Sequence, residues 1–231
     1  MTIYTDVARY HLVQRVNYLI LPWAIVAFIF ALNLLIIAAV TPAGDNSHHP
    51  VGGLASIFIL LFALGVQSVA RSLPFGLALG ISRRSYYLGT ALLAGALAAV
   101  AAVVITGAQA VERATGGWGM GLGFFRVHYI LDGPWYLTWL TSFVALTLLF
   151  VYGMWFGLVY RRWALLGLVA FAAGQTTVLT IAALAVTSAH AWHSVGHFFT
   201  ALSATGLTGL LAALTVVLFA GGFTTMRRLT V

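Results

Sequence analysis

The chain has 231 residues, of which 62% are hydrophobic and only 6% are charged, and its formal net charge is +7. Soluble domains carry about 25% charged residues, so this composition excludes a water-soluble globular protein and indicates one helical membrane domain spanning residues 1–231. The sequence contains neither lysine nor cysteine, which excludes a Walker or Schiff-base lysine, disulfides and thiolate metal sites.

Six apolar stretches are long enough to cross a hydrocarbon core of about 30 Å. The segment before them, residues 1–17, alternates apolar and polar side chains at helical spacing, which predicts an amphipathic helix lying in the membrane interface. The expected fold class is therefore an all-α integral membrane protein with six transmembrane helices. The predicted spans are residues 18–40, 53–70, 83–106, 135–160, 163–187 and 207–226.

The positions of the arginines predict how these spans are oriented. Nine of the eleven arginines flank the apolar stretches on what must be one side of the membrane, and short Arg-rich loops stay cytoplasmic. Both termini are thus expected in the cytoplasm, and the protein is expected in the plasma (inner) membrane. Because the arginines do not form one patch, we expect contact with membrane lipid and not with nucleic acid. The nine are Arg9, Arg15, Arg71, Arg83, Arg84, Arg161, Arg162, Arg227 and Arg228.

The cytoplasmic segment 71–90 carries a short amphipathic helix in this interpretation. Ser72 is expected to cap it, with Pro74 in the first turn and Gly80 at its end, and Ser82 is expected to cap the following span. Its apolar residues are Leu73, Phe75, Leu77 and Leu79. An apolar cytoplasmic projection suits the groove of a soluble partner, and the alternative is a plain interfacial connector.

The predicted spans contain no charged residue away from their ends, which argues against an ion-coupled carrier and against an intramembrane hydrolase. Neutral polar residues are the candidates for lining a pathway: Gln67, Gln175, Thr176, Thr177 and Thr180. Their alternative role is hydrogen bonding between helices. Gly153 and Gly157 form a small-xxx-small pair, which predicts close helix packing. We predict no catalytic residue.

Histidines support an alternative function. His190, His193 and His197 are spaced at i, i+3 and i+7, and three further histidines share the predicted outer side, namely His48, His49 and His128. Imidazoles at this spacing can bind zinc or copper, so the alternative is a six-helix membrane metal- or haem-binding protein or oxidoreductase. No cysteine or nearby acid completes a site, and haem requires histidines facing each other deep within spans. We therefore predict no metal site.

The chain resembles the permease subunits of ABC transporters, in the type 2 branch with the type V exporter fold. The resemblance is carried by the amphipathic start, by residues 75–84 (FGLALGISRR) after the second span, by residues 153–162 (GMWFGLVYRR), and by the closing Arg227–Arg228 pair. It extends over six spans in the family's order. The glycine-aromatic connection 107–134 departs from the family pattern, so the resemblance does not imply which segment covers the outer opening.

The resemblance implies a function and its working parts. The chain would be the membrane subunit of an exporter for a hydrophobic or amphipathic substrate, paired with a second copy or homologue. A separate ATPase subunit would bind ATP and Mg, and this chain would hold no cofactor. Residues 1–17 would be the elbow helix, and residues 188–206 a re-entrant outer hairpin. The ATPase contacts would be Phe75, Leu77, Leu79, Arg83 and Arg84, and the outer gate would comprise Trp192, Phe198 and Phe199.

Overall fold

A computed structural model describes residues 20–40, 49–126 and 133–227. The predicted elbow helix at residues 1–17 lies outside the described residues, as do His48, His128 and Arg228. Seven α-helices make up most of the described chain: α1 (Leu21–Val40), α2 (Ala55–Gln67), α3 (Leu73–Ala78), α4 (Arg83–Ala114), α5 (Trp135–Ser188), α6 (Trp192–Ala201) and α7 (Ala204–Arg227). A two-residue parallel bridge joins β1 (His49–Pro50) to β2 (Leu122–Gly123).

The described part of the chain contains five helical runs that are long and apolar enough to cross a membrane. The all-α architecture is thus as predicted, and these helices are those of a multi-pass membrane protein. The runs are Leu21–Val40, Gly52–Ala78, Arg83–Ala114, Trp135–Ser188 and Ala204–Met226. The second run is continuous because a π-helical turn, Ser68–Ser72, joins α2 directly to α3.

Helix α5 is broken at Ala164, where φ is 50° and ψ is −147°. The chain reverses there, and its two arms, residues 135–163 and 165–188, pack side by side in antiparallel directions. The Tyr152 hydroxyl of the first arm donates a 2.7 Å hydrogen bond to Gln175 Oε1 of the second. The rings of Phe156 and Phe171 meet edge to face with centroids 5.2 Å apart. The arms correspond to the two stretches that the sequence predicts at 135–160 and 163–187.

Helix α4 is longer than the sequence analysis predicts. It continues to Ala114 instead of ending near residue 106. The added residues 107–114 (GAQAVERA) include alanine, glutamine, glutamate and arginine, which favour helix and do not need an apolar environment. At 1.5 Å per residue, the 32 residues of α4 span about 48 Å, which exceeds the hydrocarbon thickness.

The centre of the bundle is the contact between α2 and the first arm of α5. The small-xxx-small pair predicted from sequence packs there: a Cβ on Gly153 would lie 2.2 Å from the Phe62 carbonyl oxygen. Two apolar clusters extend from this contact. One, at the α3 end, includes Leu73, Tyr86 and Met154. The other, at the opposite end, includes Val26, Ile57 and Phe124.

Candidate functional site

Helix α3 projects an apolar pair at the end of the bundle where the arginines of residues 71–84 lie. Leu73 is only 2% exposed and Leu77 packs against the neighbouring apolar cluster, so these residues fix one face of α3 to the bundle. Phe75 is 57% exposed and Leu79 is 61% exposed. Leu77, which the resemblance groups with Phe75 and Leu79, is half-buried, because it shares a helix face with the buried Leu73.

Local contacts hold α3 in a fixed orientation. A Cβ on Gly76 would meet the Tyr86 ring at 2.8 Å, so the helix lies directly against the start of α4. The Tyr86 hydroxyl donates a hydrogen bond to the Ser68 carbonyl oxygen in the π-helical turn. The Ile81 amide donates a hydrogen bond to the Gly76 carbonyl oxygen at 3.1 Å. The exposed face of α3 is therefore presented by a well-anchored element.

The two predicted helix caps have different outcomes. Ser82 caps α4 as predicted, since its hydroxyl accepts a hydrogen bond from the Ser85 amide at 3.1 Å. Ser72 makes no capping bond, because the chain enters α3 from a turn that is already helical. Of the two arginines that follow Ser82, Arg84 is exposed and Arg83 is half-buried, so Arg84 extends the surface next to α3.

The α3 region is connected to the last helix through two side-chain donors. The Tyr87 hydroxyl of α4 donates to the Phe219 carbonyl oxygen at 2.9 Å. The Trp155 indole of α5 donates to the adjacent carbonyl oxygen, that of Leu218, at 2.8 Å. The Tyr87 ring also packs against Phe219 and Phe223. Because Tyr86 and Tyr87 are consecutive, one short piece of α4 contacts both the turn before α3 and α7.

Gln175, one of the polar residues predicted to line a pathway, lies in the wall of a groove beside Tyr152. It accepts the hydrogen bond from Tyr152 in an open groove of about 610 Å³. The other residues of the groove wall are Ala170, Phe171, Gly174, Val178 and Leu179. Gln67 is half-buried at the end of α2 and does not belong to this wall.

The predicted pathway threonines lie on the exposed surface of the second α5 arm. Thr176, Thr177 and Thr180 each donate to a carbonyl oxygen four residues earlier in the same helix. Their hydroxyl groups are therefore satisfied within the helix. Nearly all of this arm is exposed, including Val178, Leu179 and Ile181. In the described chain these threonines lie on an open helix face.

The predicted outer segment, residues 188–206, consists of helix α6 between two short turns. Trp192 and Phe198 are each 55% exposed and Phe199 is 58% exposed, so all three aromatic side chains lie at the surface. The first turn contains His190, which has a left-handed φ of 50°. Gly196 and Gly206 lie inside α6 and α7, respectively.

The histidines of this segment do not converge. The ring centroids of His193 and His197 lie 6.5 Å apart, and the ring planes are inclined by 30°. Within the described ranges, no three His, Cys, Asp or Glu side chains are placed to hold a metal ion.

Glu112, which no sequence pattern singled out, organises the glycine-aromatic connection. Glu112 is 3% exposed, and its Oε2 accepts hydrogen bonds from the Phe124 and Phe125 amides at 3.0 and 2.9 Å. The Trp118 indole adds a third donor at 3.2 Å. Trp118 and Phe124 in turn pack around Phe30 of α1. The only sequence signal was a single acid preceding a run of glycines and aromatic residues.

No family model, curated protein or solved structure matches this chain.

Proposed function

We propose that this protein is the membrane-spanning permease subunit of an ABC exporter, which moves a hydrophobic or amphipathic substrate outward across the plasma membrane. The observation that carries the proposal is the exposed apolar pair formed by Phe75 on the anchored helix α3 and Leu79 at its C-terminal cap. Exposed apolar side chains on a fixed short helix are suited to insertion into a groove of a soluble protein. Together with the absence of a nucleotide-binding motif, they support a separate ATPase subunit that binds ATP and Mg.

The proposed topology has six spans, with the two arms of α5 as the fourth and fifth. Arg161 and Arg162 are exposed at the reversal, and the Arg162 guanidinium lies 4.7 Å from the centroid of the Trp163 ring. Arginine and tryptophan together are typical of the membrane–water interface. This supports a cytoplasmic turn at Ala164, on the same side as α3 and both termini.

In this proposal α3 transmits the motion of the ATPase to the bundle. Movement of Phe75 and Leu79 would reach Tyr86 through the close contact at Gly76. It would reach α7 through the hydrogen bond from Tyr87 to Phe219. Arg83 and Arg84 would add electrostatic contacts to the ATPase beside α3. ATP hydrolysis belongs to the partner, and this chain couples it to transport.

The pathway is proposed to form between two copies of this chain, or between the chain and a homologue. Five of the six residues at positions 172–177 of the second α5 arm are small: Ala172, Ala173, Gly174, Thr176 and Thr177. Small residues allow transmembrane helices to approach closely. The neighbouring groove has an apolar wall with one amide, that of Gln175. Such a wall favours a neutral, largely apolar substrate. Trp192, Phe198 and Phe199 are proposed to close the outer side.

The test is co-purification of ATPase activity. The tagged full-length chain is purified from membranes of its native host, and Mg-ATP hydrolysis and photolabelling by azido-ATP are measured. Replacing both Phe75 and Leu79 with aspartate should reduce the co-purifying ATPase by about tenfold or more, because buried apolar anchors dominate protein interfaces. Both side chains are exposed, so the thermal unfolding of the chain should change little.

The control is Thr224→Asp, which introduces one aspartate at an exposed position near the C-terminal end of α7. It should retain the ATPase. The proposal is wrong if the wild-type chain brings down no azido-ATP-labelled polypeptide, or if the double variant retains the activity in full.

A further inference from the structure

The groove between the two arms of α5 has a volume of about 610 Å³, which is within the range that drug-sized ligands occupy. Its two polar side chains, Tyr152 and Gln175, come from different arms. At 1.5 Å per residue, each lies about 17 Å along its arm from the reversal at Ala164. The hydrocarbon core of a membrane is about 30 Å thick. In the proposed topology, the polar part of the groove therefore lies near the midplane of the membrane.

Gln175 carries an unused hydrogen-bond donor in the wall of this groove. Its Oε1 accepts the bond from the Tyr152 hydroxyl at 2.7 Å, which holds the amide against the first arm. Within the described residues its Nε2 donates to no protein atom, and the half-buried side chain leaves that nitrogen accessible. An unsatisfied N–H group is costly in hydrocarbon. A molecule that enters the groove is therefore favoured if it brings an acceptor oxygen.

An aromatic ring lies next to this donor and is held in place from behind. Phe171 belongs to the groove wall and is half-buried, so part of its ring is accessible from the groove. It packs edge to face on Phe156 with ring centroids 5.2 Å apart. Phe156 packs in turn on Tyr152 at 5.1 Å and on Phe62 of α2 at 5.2 Å. The groove thus offers a supported aromatic surface beside one amide donor, and aromatic ligands pack well on such a surface.

These features discriminate between possible occupants. A lipid acyl chain would fit the apolar wall but would leave the Gln175 donor without an acceptor. The ester and phosphate oxygens of a diacyl lipid lie at the membrane interface, about 15 Å from the midplane, and so do not reach that donor. A charged molecule would meet no opposite charge among the described wall residues and is costly to place at this depth. A neutral molecule that combines an aromatic ring with a carbonyl oxygen matches both the ring and the amide.

We propose that this groove binds a neutral aromatic carbonyl compound, with its ring on Phe171 and its carbonyl oxygen accepting a hydrogen bond from Gln175 Nε2. The Tyr152 hydroxyl orients the amide for this bond. The inference names the substrate class of the exporter, and in that respect it rests on the proposed function. Binding itself requires neither ATP nor an ATPase subunit.

The test is photolabelling of the purified full-length chain in lipid nanodiscs with benzophenone, which is itself a diaryl ketone. Mass spectrometry should locate the adducts in peptides that include residues 170–179. The competitors are benzyl benzoate and 1,3-diphenylpropane, which both carry two phenyl rings separated by three atoms, whereas only the first has a carbonyl group. Benzyl benzoate should displace the label at about fivefold lower concentration, the difference expected for one neutral hydrogen bond.

The double variant Gln175→Met with Tyr152→Phe removes the amide donor together with the hydroxyl that would otherwise lose its acceptor and turn to the ligand. Both replacements keep the length of the side chain, so the two competitors should then displace the label at equal concentration. The matched control is Thr180→Val, because Thr180 is an exposed polar residue of the same arm outside the groove wall. This variant should retain the preference for benzyl benzoate.

Equal competition in the wild-type chain, adducts confined to other segments, or an unchanged preference in the double variant would overturn the proposal. Equal competition combined with an altered mass of the double variant in detergent would assign the groove to a second copy of the chain. If the double variant does not fold, the wild-type competition decides. No ATPase takes part in this assay, so a failure to bind leaves the export function to its own co-purification test.

Discussion

Gly153 lies where α2 and α5 pack too closely for a larger side chain. An added Cβ there would lie 2.2 Å from the Phe62 carbonyl oxygen and 3.0 Å from the Val66 amide nitrogen, both of them backbone atoms of α2. Backbone atoms cannot rotate away, so Gly153→Ala must push the two helices apart. We expect a loss of about 1–3 kcal/mol in unfolding free energy, seen as a lower thermal midpoint in detergent.

Gly95 provides the control for this prediction. It lies within α4, and no atom lies within 4 Å of its would-be Cβ. Gly95→Ala should be neutral or stabilising by up to about 1 kcal/mol, because alanine favours helix over glycine. Equal midpoints for the two variants would contradict the close contact between α2 and α5.

Single residues show where sequence patterns suffice and where they do not. Ser82 was predicted correctly as a cap because capping depends on residues only three positions apart. The alternating apolar residues of α3 were harder to interpret. Residues 73 and 77 share one face of the helix and residues 75 and 79 share another, and only the position of Tyr86 decides which face is buried. Glu112 escaped prediction because its partners are up to 13 residues away in a loop without periodicity.

Among the elements, α7 depends on donors supplied by its neighbours. Tyr87→Phe removes the hydroxyl that donates to Phe219 while retaining the ring contacts. Hydrogen bonds between membrane helices contribute about 0.6 kcal/mol on average, so overall unfolding should change only slightly. The amides in the C-terminal half of α7 should nevertheless exchange faster with deuterium, since fewer contacts hold that end to α4.

Exchange is measured by mass spectrometry on peptides that cover α7. Tyr136→Phe is the matched control, because Tyr136 lies at the start of α5 and is 58% exposed. Unaltered α7 exchange in Tyr87→Phe would show that the Trp155 bond to Leu218 holds this end of α7 without assistance.

Element boundaries were predictable where hydrophobicity alone sets them. The start of α1 and the two arms of α5 lie within a few residues of the predicted stretches. The end of α4 was not predictable from hydrophobicity. Residues 107–114 are helical because of their intrinsic helix propensity and the Glu112 contacts, and neither makes the segment more apolar. The continuous passage from α2 into α3 was also missed, since Arg71 suggested a loop and the structure has a π-helical turn.

Exposure differs sharply between the helices of the whole molecule. Within their most apolar 18-residue windows, α4 is 44% buried, whereas α1 is 6% buried and α7 is 11% buried. The second α5 arm is similarly exposed, so helices with little burial surround a packed centre made of α2, α4 and the first α5 arm. In a membrane protein such faces contact lipid or another subunit, and the small residues of the second α5 arm favour a subunit there.

Cysteine labelling can determine whether α5 crosses the membrane twice. The native chain has no cysteine, so Leu79→Cys and Ser194→Cys each introduce a single thiol at an exposed position. Between these positions lie α4 and the two arms of α5. Three crossings put the thiols on opposite sides of the membrane, whereas a single crossing by α5 would put them on the same side. This comparison does not depend on where either terminus lies.

We expect an impermeant maleimide to label Ser194→Cys in intact cells and to label Leu79→Cys only after permeabilisation. The physical reason is that short Arg-rich turns stay cytoplasmic, and Arg161 and Arg162 are exposed at the reversal at Ala164. Labelling of both thiols under the same condition would refute the six-span topology. Labelling of Leu79→Cys alone in intact cells would keep six spans but invert the protein, and α3 would then face outward, where it could not contact an ATPase.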